Sequence, residues 1–111
     1  MAQTNSIFRT AKPTEPRLRL NLPCTINLSG SVREAIVYNI SYSGFAVRLP
    51  DEGQNSFSLA ELQSVSIEDI AEFEVRTRWR KDARIGFAFL SKRGARPILD
   101  AYFTKNGEFP T

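Results

Sequence analysis

From Leu18 to Leu28 every second residue is apolar: Leu18, Leu20, Leu22, Cys24, Ile26 and Leu28 alternate with Arg19, Asn21, Pro23, Thr25 and Asn27. A period of two sends successive side chains to opposite faces, so the stretch reads as a half-buried strand. Pro23 removes one ladder donor and implies an edge position or a bulge near the middle. Ser29-Gly30-Ser31 turns the chain into a second strand, Val32 to Ile40, in which Ala35, Val37 and Asn39 alternate with Ile36, Tyr38 and Ile40. After the polar interruption around Ser41-Tyr42-Ser43-Gly44, Phe45, Val47 and Leu49 alternate with Ala46 and Arg48 as a third strand.

Pro50 to Asn55 reads as a solvated loop and Phe57 to Leu62 as a single helical turn. Ser64 to Ile70 is the fourth strand, with Val65, Ile67 and Asp69 on one face. In the fifth, Phe73, Val75, Thr77 and Trp79 alternate with Glu74, Arg76, Arg78 and Arg80, which puts Trp79 in phase with the core. Lys81-Asp82-Ala83 reverses the chain into the sixth, Arg84 to Leu90, where Ile85, Phe87 and Phe89 share a face and Gly86 marks close backbone packing or a bulge. The spacing then changes: Ile98, Leu99, Tyr102 and Phe103 form the stripe of one amphipathic helix that starts at Ser91, carries Pro97 in its first turn and stops at Asn106-Gly107. The predicted fold is all-β with one C-terminal helix: a six-stranded antiparallel β-barrel, closed or nearly so, with the helix over one opening. Residues 1–16 lack periodicity and read as a flexible N-terminal arm, 17–106 as the barrel with its helix, and 107–111 as a tail.

Charge gives this outline a direction. The net charge of +3 and pI near 9.4 mildly favour anionic partners. Arg9, Lys12, Arg17 and Arg19 cluster around the first strand against Glu15, whereas 51–74 holds seven acids (Asp51, Glu52, Glu61, Glu68, Asp69, Glu72, Glu74) and no base. An anion is therefore drawn to the N-terminal side, while the modest overall charge argues against a nucleic acid polymer. The chain has no His and a single Cys, Cys24, which argues against a transition-metal site and fits a reducing, cytoplasmic setting. No apolar run is long enough to cross a bilayer. With no phosphate loop, nucleophile elbow or acid–base constellation, the sequence favours binding over catalysis, and no cofactor is implied.

Three features offer binding chemistry. Arg17 and Arg19 alternate onto one face opposite Leu18 and Leu20, and a guanidinium fork matches phosphate oxygens or the O6/N7 edge of guanine. The turn around Asn39, Ser41 and Gly44 gathers an amide, hydroxyls and a glycine backbone suited to a flat polar ring. Trp79, flanked by Arg78 and Arg80, is the third, as a stacking face if it is not core.

In order and spacing, Arg17-Leu18-Arg19-Leu20-Asn21-Leu22-Pro23, Asn39-x-Ser41-x-x-Gly44 and Trp79-Arg80 leading to Ile85-Gly86-Phe87-Ala88-Phe89 resemble a PilZ domain across about Glu15 to Phe103. The resemblance implies a bacterial receptor for the second messenger cyclic di-GMP, with a six-stranded barrel, a C-terminal helix and an unidentified protein effector downstream. In that family an RxxxR motif and a [D/N]xSxxG motif clamp the dinucleotide. The second motif is intact as Asn39, Ser41 and Gly44. The first is broken: with Arg17 as its second arginine, the first position falls on Pro13, beside Lys12. The implied ligand-binding set is thus Lys12, Arg17, Arg19, Asn39, Ser41 and Gly44, with the arm changing conformation over the ligand. The alternative implied by Pro13 is a PilZ-like adaptor that does not bind cyclic di-GMP and acts through protein–protein contacts.

Overall fold

The computed structural model describes residues 15–50 and 57–111. Seven strands are present among them: β1 (Leu18–Leu28), β2 (Ser31–Ile40), β3 (Gly44–Arg48), β4 (Leu62–Ile67), β5 (Ala71–Phe73), β6 (Val75–Lys81) and β7 (Arg84–Phe89). They are followed by helix α1 (Lys92–Asn106). All pairings are antiparallel and the order is β5-β4-β1-β2-β3-β7-β6, so β5 and β6 are the two edges of one sheet that does not close into a cylinder. The predicted count of six strands is corrected to seven for a local reason. Asp69, placed by alternation in the fourth strand, takes a left-handed φ of 71° and turns the chain back, so that 71–73 pairs with β4. Glu74 then separates β5 from β6 within what alternation reads as one strand.

The alternating positions of β1 do face inward, and Cys24, Ile26 and Leu28 are buried. β1 lies between β4 and β2, so Pro23 is not on an edge. Its ladder with β4 ends at Cys24, and the register against β2 slips between Arg19 and Leu22, ahead of the proline, which itself pairs with Ile36. Two further slips matter more. In β2 one extra residue intervenes between Val37 and Asn39 opposite β3, and in β6 between Thr77 and Trp79 opposite β7. Since a bulge reverses which face later residues occupy, β2 buries Ala35 and Val37 before its bulge and Ile40 after it. Asn39 is thereby turned outward.

Ser91 caps α1 by accepting from the Gly94 amide at 3.0 Å, and Gly107 ends it in the left-handed conformation at φ 70°. Ala95, Leu99 and Phe103 are the buried face and join the same core as Phe45, Phe87 and Phe89. Ile98, counted in the stripe by its spacing, is 39% exposed. Pro97 lies in the second turn of the helix rather than the first.

Candidate functional site

The bulges assemble a row of residues across the outer face of the sheet. In register, Arg19 of β1 opposes Asn39 of β2, Asn39 opposes Ala46 of β3, Ala46 opposes Gly86 of β7, and Gly86 opposes Trp79 of β6. Two small residues at the centre leave a floor, and larger polar or aromatic groups stand at either side. Arg17, Asn39, Phe45, Ala46, Arg78, Trp79, Gly86 and Phe87 line a depression of about 120 Å³ there. That is below the range of about 300–1,000 Å³ that encloses a whole drug-sized ligand, so it admits one planar fragment and leaves the remainder on the surface.

Arg17 donates from Nη1 to Asn39 Oδ1 at 2.7 Å, joining the start of the first strand to the signature turn. Arg19 is exposed on the same side and outside the lining of the depression. Ser41 is fully buried, and its hydroxyl is 3.2 Å from the Gly44 carbonyl and accepts from the Ser43 amide at 3.2 Å, holding the turn together from within. The Ser41 hydroxyl also lies 3.1 Å from Glu15 Oε1, and that oxygen accepts from the Ser43 hydroxyl as well. Gly44 faces no ligand space: a Cβ there would stand 2.1 Å from the Phe87 carbonyl oxygen. Lys12 and Pro13 lie outside the described residues, as does most of the predicted arm.

Trp79 corrects the sequence reading. Alternation with Phe73 and Val75 places it in the core, but the β6 bulge turns it outward, where it is 43% exposed with its indole against Gly86. Gly86 was the available signal, since a glycine opposite an aromatic on a neighbouring strand gives the ring a surface to cover. Arg80 is turned the other way: it donates to the Phe57 carbonyl at 2.8 Å with its guanidinium 4.5 Å from that ring. Arg76, Arg78 and Arg84 remain exposed on or beside the Trp79 face, and Arg84 lies over the Tyr38 ring at 5.4 Å. The acids Glu68 and Glu72 are on the β4–β5 hairpin, and Glu74 joins β5 to β6.

The signature turn is tied to the helix as well. Tyr42 donates to Asp100 Oδ1 at 2.7 Å, its ring meets Phe103 edge-on at 5.4 Å, and Arg96 lies 3.9 Å from its centroid. That hydrogen bond to a carboxylate, chiefly, pushes the Tyr42 hydroxyl pKa up. Among the described residues no group of three or more His, Cys, Asp or Glu is placed to hold a metal ion, and no helix is long and apolar enough to cross a membrane.

Residues 12–103 match the family model of the PilZ domain. No curated protein sequence matches the chain significantly. Among solved structures the chain is similar to YcgR from Escherichia coli, described as a crystal structure in complex with c-di-GMP, at 14% identity and a TM-score of 0.53. The alignment covers 86% of this chain and 48% of YcgR, so this chain spans about half the length of that protein, and at such identity the likeness shows the fold.

Proposed function

The chain belongs to the PilZ domain family, and from that premise we propose that it is a cyclic di-GMP receptor whose site is the outer-face row from Arg19 and Asn39 to Trp79. The observation that carries this reading is the Arg17–Asn39 contact beside the Ala46–Gly86 floor, with the indole of Trp79 at the far side. Those parts suit a guanine nucleotide. A flat base lies over Ala46 against the indole that covers Gly86, the Asn39 amide meets its edge, and the guanidinium of Arg17 takes a phosphate oxygen or the O6/N7 edge. Arg19, Arg76 and Arg78, exposed on or beside this face, draw the two phosphates to it. YcgR, which shares the fold, is described in complex with the same dinucleotide.

Binding is the signal in this reading. The ligand rearranges the N-terminal arm, including Lys12, over the sheet, and the altered surface is read by a protein partner. Calorimetry on the full chain tests it: cyclic di-GMP should release heat on binding, and Arg17→Ala should weaken affinity by about ten- to a hundredfold, the scale of one lost charged hydrogen bond. Absence of binding, or indifference to Arg17→Ala, would overturn it.

Pro13 favours a second reading. It stands where the family's first motif has arginine, and proline offers neither charge nor a hydrogen bond. A domain that had lost the ligand would act as an adaptor through protein contacts. Its partner would then bind equally with and without added cyclic di-GMP.

A further inference from the structure

Glu15 is exposed, yet its carboxylate reaches across to the signature turn and accepts from the hydroxyls of both Ser41 and Ser43 on one oxygen, Oε1. Two residues later Arg17 donates to Asn39 of the same turn. In this arrangement the polar groups of the turn are satisfied from within the chain. Arg17 is paired with Asn39, and both serine hydroxyls face an anion that the protein itself supplies. Ser41 is fully buried in this arrangement, its hydroxyl shared between Glu15 and its own turn.

An anionic oxygen accepting from two hydroxyls is chemically what a ligand phosphate would present, since carboxylate and phosphate oxygens both make short charge-assisted bonds to such donors. We infer that Glu15 is a built-in surrogate anion: a latch that holds the entry of the chain against Ser41 and Ser43 in the free domain and is displaced by the dinucleotide. This inference rests on the receptor reading and adds a regulatory step to it. The latch opposes the ligand in two ways. It must be released before the serines are reached, and its negative charge stands at the rim of a site meant for two phosphates. When the binding-competent state is only partly populated, apparent affinity falls by that fraction. Releasing Glu15 also unhooks the chain just ahead of Arg17, which links occupancy of the turn to movement of the arm without any change in the sheet.

The sign of the effect is unusual and therefore diagnostic, because removing a polar contact at a binding site ordinarily weakens binding. Here Glu15→Ala should tighten cyclic di-GMP by about tenfold, the effect of deleting one charged competitor. Glu15→Gln, whose amide oxygen still accepts from the serines but carries no charge, should tighten it by less. The experiment is calorimetric titration of cyclic di-GMP into the full-length wild type and both variants, with thermal melts to confirm that each is folded. Tightening in the order Ala over Gln over wild type, or binding by the variants where the wild type binds none, supports the latch. Equal or weaker binding by Glu15→Ala overturns it and leaves the receptor reading standing. Failure of all three proteins to bind removes the receptor reading and the latch together.

Discussion

A Cβ on Gly44 would stand 2.1 Å from the Phe87 carbonyl oxygen, which is backbone and cannot step aside, whereas one on Gly86 would meet the Trp79 indole at 2.2 Å. The two glycines therefore fail differently. Gly44→Ala should destabilise the fold by about 1 to 3 kcal/mol through overpacking of β3 on β7, read as a lower denaturation midpoint. Gly86→Ala should displace Trp79 from its seat and alter its fluorescence. Trp79→Ala leaves the core intact, so it should cost little stability but weaken cyclic di-GMP by about 1 to 3 kcal/mol, the worth of stacking one base on an aromatic ring. Ser41 is a further case in which a signature residue is structural before it is functional: it is buried and holds its own turn. The identities of Arg17, Asn39, Ser41 and Gly44 are legible from the sequence because their motif spacing is local. Glu15 is not, since nothing in its neighbours shows that it reaches a turn 26 residues away.

The elements were legible where burial alternates without a break and misleading where an added residue reverses the faces; the slip of β1 against β2 between Arg19 and Leu22 leaves its alternation intact. The eleven residues of β1 follow the pattern throughout, with Leu18, Leu20 and Leu22 packed against the core and Cys24 to Leu28 within it. In β2 and β6 the pattern holds up to Val37 and Thr77, after which a single extra residue reverses the faces and sends Asn39 and Trp79 outward. Both reversals fall at the candidate site, where a regular strand would have buried Asn39 and Trp79. The helix ends were legible because Ser91 and Gly107 are capping residues with local chemistry, but its buried face is Ala95, Leu99 and Phe103, a spacing that a small residue such as Ala95 obscures. A link between helix and turn runs through Tyr42, which donates to Asp100 under the guanidinium of Arg96. Tyr42→Phe should lower stability by about 1 kcal/mol, one hydrogen bond's net worth, as measured by chemical denaturation.

For the molecule as a whole, separation of charge and burial of its one thiol set the expected behaviour. Burial pushes the Cys24 thiol up from an ordinary 9.0 to about 12. The folded state therefore holds that proton more tightly than the unfolded chain, so this contribution to stability is complete below about pH 9 and is lost as pH rises toward 12. Tyr42, also raised, adds to the same decline. Denaturation midpoints should thus fall through that window, less steeply in Cys24→Ala, and native protein should resist thiol reagents at neutral pH. With Arg17, Arg78 and Trp79 around the depression, the proposed landing place of an anionic ring system is the outer face of the sheet. An NMR titration of the full chain with cyclic di-GMP tests this most directly. Saturable shifts are expected at the amides of Arg17, Asn39 and Ser43 and at the Trp79 indole N–H. Shifts confined to the exposed side of the helix, around Ile98 and Lys105, or no shifts at all, would contradict it.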